Sequence, residues 1–110
     1  MIKNSIPDLM ESIPKYFVPE KAIGINAVIQ FNIKGEQGGD WFVTIQNQAC
    51  SVVQGSAFNP RVTFSAEAQD CLDILTDKLD GLKAYMTGRL ELKGDIKLAM
   101  KIASFFKLDQ

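Results

Sequence analysis

The sequence contains no histidine among its 110 residues. This absence removes the commonest general base and the Ser-His and Cys-His pairs of nucleophilic catalysis. It also removes most zinc sites, because the chain's two cysteines cannot complete a four-ligand zinc shell by themselves. We therefore expect no enzyme activity, no metal and no cofactor in this chain.

Cysteine is scarce as well, with only Cys50 and Cys71. In a cytosolic chain such residues are usually reduced and buried, and we expect that here. The sequence alone leaves a disulfide between them open.

Long apolar runs are also missing, since no stretch approaches the ~20 apolar residues that a membrane span needs. Residues 1–11 hold no long apolar run, so we expect no signal peptide, and cytoplasm is the default location. A net charge of −1 does not suggest a nucleic-acid partner. Residues 1–110 are long enough for one domain, and 46% apolar residues are typical of a globular fold.

Hydrophobic spacing predicts an α+β fold. Apolar residues recur at helical spacing from Ile6 to Phe17, and Pro14 should end or bend that helix. Alternation with a period of two predicts five strands, and a tight turn is predicted at Asn47-Gln48. The strands centre on residues 27–33, 41–45, 50–54, 62–66 and 90–92. Helical spacing returns over residues 68–79, 82–86 and 96–106, with Ser65 a candidate N-cap for the first of these. The order predicts a five-stranded, mostly antiparallel sheet with helices covering one face.

The last predicted helix, residues 96–106, has more apolar surface than one sheet can cover. Its polar residues, Lys97, Lys101 and Ser104, form a narrow arc, and the rest of the circumference is apolar. Docking on a sheet needs an apolar stripe of only about 100°. Three explanations are open: the helix packs on several sides, it forms a dimer interface, or it covers an apolar ligand.

Charge is divided unevenly along the chain. Residues 1–77 hold five basic and nine acidic residues, whereas residues 78–107 hold seven basic and three acidic residues. The basic end could contact an acyl carboxylate, the phosphates of an acyl thioester or an anionic membrane surface. Solvated lysines on polar faces are the simpler interpretation.

The segment from residue 81 to 101 reads GLKAYMTGRLELKGDIKLAMK. It resembles the signature of the sterol carrier protein type-2 domain family: an aromatic residue, Gly, a basic residue, apolar alternation, Gly-Asp, and a closing apolar helix. Residues 26–35, followed by Trp41, and residues 17–20 are also similar to that family. The resemblance covers nearly the whole chain through the order and spacing of these segments.

This resemblance implies helices closing an apolar tunnel against a five-stranded sheet, and binding of a fatty acid, a fatty acyl-coenzyme A or a sterol-like lipid. It implies lipid binding or transfer without catalysis, and the alternative is an interaction module that dimerises or docks on a lipid-metabolising enzyme. Transient membrane contact and a homodimer fit either interpretation. Apolar faces and the resemblance together predict a lining formed by Phe31, Ile33, Leu75, Leu79, Leu82, Met86, Leu90, Met100, Ala103 and Phe106. Tyr85 and Thr87 are predicted polar contacts near the mouth.

Overall fold

The computed structural model describes residues 6–36, 38–75 and 78–102. Their helices are α1 (Ile6–Ser12), α2 (Ala68–Leu75), α3 (Gly81–Met86) and α4 (Ile96–Ile102), with two 3-10 turns at Ile13–Tyr16 and Pro19–Ala22. Their strands are β1 (Ala27–Lys34), β2 (Gly39–Gln46), β3 (Ala49–Gln54), β4 (Val62–Glu67) and β5 (Leu90–Gly94). The strands form one sheet in the order β3-β2-β1-β4-β5, which confirms the α+β fold with a five-stranded sheet.

The sheet is mixed. The pairs β1-β2, β2-β3 and β4-β5 are antiparallel, whereas β1 and β4 are parallel at its centre. The predicted turn between β2 and β3 is confirmed, because Asn47 and Gln48 both take positive φ angles, 54° and 60°. Two such residues in succession match the right-handed twist of a hairpin.

The parallel pair requires a crossover from β3 to β4, and a buried glutamine holds it in place. Gln30 on β1 is only 4% exposed. Its Nε2 donates to the carbonyl oxygens of Trp41 and Gly55, each at 3.1 Å, and its Oε1 accepts from the N–H of Ala57 at 2.7 Å. These bonds attach the crossover to the face of the sheet opposite the helices.

The other face of the sheet carries the hydrophobic core. Alternate side chains of β1, from Ala27 to Ile33, are buried on this helix-covered face. The register aligns one row of large side chains across four strands: Trp41, Phe31, Phe64 and Leu92. The rings of Phe31 and Phe64 stack with centroids 5.2 Å apart. This row, called the aromatic row below, is the centre of the floor beneath the helices.

The first predicted helix ends near Pro14 as expected, whereas the second differs from the prediction at both ends. The first α-helix gives way to a 3-10 turn at Ile13, and Pro14 falls within that turn, where its missing N–H costs no helical hydrogen bond. For α2, the prediction of Ser65 as N-cap is wrong, because Ser65 lies inside β4 and pairs with Glu91 of β5. The prediction that this helix reaches Leu79 is also wrong.

The helical hydrogen-bond pattern of α2 does not continue to Leu79, because the carbonyl oxygen of Asp73 accepts from two backbone amides beyond the helix. Lys78 and Leu79 both donate their backbone N–H to the carbonyl oxygen of Asp73, at 2.8 and 3.1 Å. Neither residue is helical. Leu79 is half-buried against the core from outside the helix.

The junction between β5 and α4 depends on a close backbone approach. Gly94 has a φ of 101°, and a Cβ there would collide with the carbonyl oxygen of Arg61. Asp95 then caps α4, since its Oδ1 accepts from the N–H of Leu98 at 3.0 Å. Its Oδ2 accepts from Arg61 Nη2 at 2.8 Å, which ties the helix start to β4.

Candidate functional site

The helix-covered face is tightly closed at one end. We call residues 6–36 and 38–46, which include α1, β1 and β2, the packed region. Of the seven largest fully buried side chains among the described residues, six belong to it, with Val62 as the exception. Met10 of α1 and Ile45 of β2 have no exposed surface at all. These six side chains are almost completely inaccessible to solvent.

The other end is less completely closed. We call residues 62–75 and 78–102, which include β4, β5 and α2–α4, the open region. Phe64 and Leu92 lie on the helix-covered face yet are only half-buried. Leu72 and Ile74 of α2, which pack against the core from the helix side, are also half-buried. Apolar surface is therefore accessible on both the floor and the cover of this region.

Helix α3 is short but well defined at both ends. Asp80 caps its start, with Oδ2 accepting from the N–H of Lys83 at 3.3 Å. Gly88, with a φ of 83°, ends the turn that follows, because glycine takes the left-handed conformation without steric cost. Arg89 then donates its N–H back to the carbonyl oxygen of Ala84 at 2.8 Å. Both ends are thus satisfied within the helix's own sequence.

The apolar stripe of α3 faces away from the core. Ala84 is completely buried and forms the contact side of the helix. Leu82, Tyr85 and Met86, which share a face at i, i+3 and i+4, are 49%, 38% and 75% exposed. Helices that only cover a sheet turn such a stripe inward. We call these three residues the α3 stripe.

Helix α4 shows the same division on a smaller scale. Leu98, Ala99 and Ile102 are buried, whereas Met100 is 51% exposed. Of the three explanations for its apolar surface, burial on several sides does not account for Met100.

The predicted site residues fall into three groups. Phe31, Ile33 and Leu90 are buried on the sheet floor, and Leu79 is half-buried beside it. The exposed members are Leu82, Tyr85, Met86, Thr87 and Met100. Leu75 lies in α2, and nothing is described of its side chain, while Ala103 and Phe106 lie outside the described residues. A lining role for each of them stays a prediction.

Thr87 has a structural partner inside α3. Its Oγ1 donates to the carbonyl oxygen of Lys83 at 2.8 Å and approaches that of Ala84 at 3.4 Å. The hydroxyl proton therefore satisfies the helix end, and the hydroxyl oxygen is the atom left to accept from a ligand.

Charged residues gather beside the open region. Arg89 Nη2 donates to Asp70 Oδ1 at 2.6 Å, and this hydrogen bond raises the pKa of Arg89. The pair borders a cavity of about 240 Å³ that Lys34, Glu67 and Glu91 also line. Charges of both signs make this cavity unsuited to an alkyl chain.

The cysteines are free thiols in the structure. Burial raises the pKa of Cys50 to about 11 and that of Cys71 to about 12. Such thiols stay protonated at neutral pH and are poor nucleophiles.

The fold and the open region can now be compared with known proteins. A model of the SCP-2 sterol transfer family matches residues 13–107. The chain belongs to this family. The prediction from the sequence is confirmed, and with it the assignment to a sterol carrier lipid-binding domain family.

One curated relative in the family is hydroxysteroid dehydrogenase-like protein 2 of Danio rerio. It is 30% identical to this chain over 98 residues, which make up 88% of this chain and 24% of that protein. The chain thus spans about a quarter of the length of this relative.

Two solved structures extend the comparison. The crystal structure of sterol carrier protein 2 like 2 from Aedes aegypti is 29% identical, with a TM-score of 0.72, over 90% of this chain and 91% of that one. A solution structure of the same protein in palmitated form is also 29% identical, with a TM-score of 0.71, over 92% and 93% of the two chains. Both are SCP-2 domains of about this length.

Sequence reasoning missed three side chains of the aromatic row as candidate site residues. Phe64 and Leu92 alternate with polar neighbours along β4 and β5, a pattern that predicts a strand but not a binding site. Trp41 is predicted as a strand residue and as part of the family resemblance, yet its indole Nε1 is buried with no hydrogen-bond partner among the described residues. No sequence pattern signals such a missing partner.

None of the described helices is long and apolar enough to cross a membrane.

Proposed function

We propose that this domain carries a lipid, without catalysis, in an apolar site between the floor of the open region and helices α2–α4. The lipid is a fatty acid or a sterol-like molecule, and it exchanges beside the α3 stripe. The exposed α3 stripe is the observation that carries the proposal. It supplies exposed apolar surface on a helix that contacts β5, the strand that carries half-buried Leu92.

The energetics of such a site are adequate. Burying a sixteen-carbon chain at about 0.8 kcal/mol per methylene contributes roughly 12 kcal/mol before costs. Association and ordering consume several kcal/mol of this, which leaves micromolar to nanomolar affinity. Lipid binding therefore needs shape and apolar contact rather than a reactive group.

The relatives support the same class of ligand. The Aedes aegypti protein described as palmitated is similar to this chain over nearly its whole length. The Danio rerio relative is named for a dehydrogenase and is about four times as long as the matched part. A carrier domain in such a protein would hold a lipid while other parts perform chemistry.

The chain's own groups favour binding over catalysis. Histidine is absent, and both thiols are protonated at neutral pH. Asp70, one of the three carboxylates that line the cavity beside the open region, is paired with Arg89. A general base with a free, adjacent substrate position is not found among the described residues.

Titration with a fluorescent fatty acid tests the proposal. Wild-type protein should bind saturably below about 100 μM, the range that a largely buried alkyl chain predicts. The double variant Leu82→Ser/Met86→Ser should weaken binding or slow transfer to vesicles about tenfold or more, since each residue contributes roughly one buried apolar contact.

The matched control is Ile23→Ser, which removes a 68% exposed apolar side chain of the packed region. It should leave binding and transfer unchanged. Absence of saturable binding in the wild type, or equal losses in both variants, would contradict the proposal.

The alternative function is an interaction module, and the same α3 stripe favours it, because it could dock on a second copy or on an enzyme. Sedimentation separates the two functions. A lipid-free dimer that Leu82→Ser/Met86→Ser converts to monomer supports the module, whereas a monomer that co-purifies with lipid supports the carrier.

A further inference from the structure

Trp41 is the one buried side-chain polar group without a hydrogen-bond partner among the described residues. The residue is 4% exposed, so water does not compensate its Nε1–H from outside. A buried donor left unpaired costs about 1–3 kcal/mol, and native proteins rarely leave one so. The position therefore implies a partner that the described residues do not supply.

The indole lies on the floor of the interior. Trp41 is in register with Phe31 on one side and Gln54 on the other. Gln54 is exposed, and its amide does not reach the indole. A buried water needs two to four polar partners, and Phe31 offers none.

A glycine lies beside the indole nitrogen. Gly39 lies on the same face of β2 as Trp41, and a Cβ at Gly39 would sit 3.3 Å from Nε1. Any larger residue would crowd the atom to which a partner must come.

The aromatic row leads from this donor to the open region. Trp41 and Phe31 are buried at 4% and 7%, and Phe64 and Leu92 beyond them are half-buried. Four strands at the usual 4.8 Å spacing put Trp41 and Leu92 about 14 Å apart, roughly the length of a dozen extended carbons. A chain lying along the row would place one end at Nε1 and the other beside α3.

Resting on the proposed function, we propose that Trp41 Nε1–H is the polar anchor of the bound lipid and donates to a compact, neutral oxygen, such as a hydroxyl or carbonyl, at the inner end of the ligand. The buried polar side chains among the described residues are Ser12 and Gln30, so no buried cation offsets a carboxylate there. A bulky or charged head group is excluded because the indole is enclosed. The ligand thus enters with its small oxygen end first.

The chain has a single tryptophan, so a ¹⁵N-labelled sample shows one indole cross-peak. Dodecanol should move this peak to higher ¹H frequency, whereas dodecane, with the same chain and no oxygen, should bind without that shift. Dodecanoate should bind more weakly than dodecanol at neutral pH and tighten as the pH falls. Wild-type protein serves throughout, so these readouts do not depend on a variant that folds.

Variants give the second measurement, by competition against the fluorescent fatty acid. Trp41→Phe should lower the ratio of dodecanol affinity to dodecane affinity about three- to tenfold, the loss of one neutral hydrogen bond. Phe31→Leu, which removes neighbouring apolar surface but no donor, should weaken both ligands by the same factor.

Three results would overturn the inference. An unchanged affinity ratio in Trp41→Phe, or equal indole shifts with dodecane and dodecanol, would show packing without a hydrogen bond. An indole peak that Gln54→Ala moves in ligand-free protein would show that the donor already has a partner. If neither dodecanol nor dodecane binds saturably, the proposed function itself fails, and the anchor fails with it.

Discussion

The packed and open regions share one hydrophobic floor but are covered to different depths. Helix α1 and the first 3-10 turn bury Ile6, Met10 and Ile13 in the core with almost no exposed surface. Helix α3 puts only Ala84 onto its side of the sheet and leaves the α3 stripe outside. The same apolar fraction can therefore build a solid interior at one end and an accessible one at the other.

The two regions also differ in how their covering elements are attached. Dispersion and apolar burial dominate in the packed region. In the open region, ion pairs add attachment: Arg61 to Asp95 at the start of α4 and Arg89 to Asp70 on α2. Exposed pairs of this kind contribute little free energy, so the open cover can shift at low cost.

The largest expected effect comes from the packed region. Ile29→Ala, at a position 1% exposed, should lower the free energy of unfolding by about 3 kcal/mol, because the deleted methyl groups leave a cavity. Urea denaturation measures it. Met86→Ala, at a position 75% exposed, is the control and should stay within about 0.5 kcal/mol of wild type. Equal losses would mean that both regions are packed alike.

Ligand binding should act almost entirely on the open region. A fatty acid at about a hundred times its Kd should raise the free energy of unfolding by about 2.7 kcal/mol. Hydrogen exchange should locate the added protection in α2, α3, β5 and α4, since α1, β1 and β2 are already closed. The Leu82→Ser/Met86→Ser variant is the control and should gain less at the same ligand concentration. Protection spread evenly over the sheet would remove the distinction between the regions.

The link between the regions is the next target. Gln30→Ala should cost about 2 kcal/mol, because the Ala57 N–H and two carbonyl oxygens lose a buried partner. Exchange of β4 amides should rise more than that of β2 amides, since β4 depends on the crossover. Gln46→Ala, on the exposed end of β2, offers the same change without buried bonds and should be nearly silent. If Gln30→Ala leaves the stability and the β4 exchange unchanged, the crossover does not depend on Gln30.

The smallest effect concerns acid. The hydrogen bond from Arg61, assisted by the N–H of Leu98, lowers the pKa of Asp95. Because the folded state binds this proton less readily than the unfolded state, the stabilisation is present above the ordinary carboxyl pKa and is lost as the pH falls through the lowered value. The difference in urea midpoint between wild type and Asp95→Asn should therefore shrink on acidification. Glu11→Gln in the packed region is the control, and a difference that grows with acid would contradict the assignment.

Much of the fold followed from spacing alone. Period-two alternation located all five strands to within a few residues, and Asn47-Gln48 indicated the turn between β2 and β3. Helix ends were harder to predict. The carbonyl oxygen of Asp73 accepts from two backbone amides, so the helical pattern of α2 does not reach Leu79. Ser65 looked like a cap since nothing local shows that it pairs with Glu91 across β4 and β5.

The candidate site, too, could be predicted from the sequence only in part. The family resemblance and apolar faces predicted Phe31, Ile33 and Leu90 as lining residues, and all three are buried on the floor, while their lining role stays a prediction. They could not tell that the α3 stripe faces outward, because helical spacing identifies a face but not what it contacts. They also could not identify Trp41 as an unpaired donor, since that depends on every neighbour around one nitrogen.

Taken alone, the sequence determined which residues alternate inward, where the chain turns, and that a histidine-free chain has no histidine-based chemistry. These properties are local or compositional, so they need no knowledge of distant neighbours. Only the tertiary structure decided the parallel pairing of β1 with β4, the burial of Gln30, and the unequal cover over the two ends of the floor. Each of these depends on contacts between residues far apart in the chain, and burial is a property of the whole set of contacts rather than of any one segment.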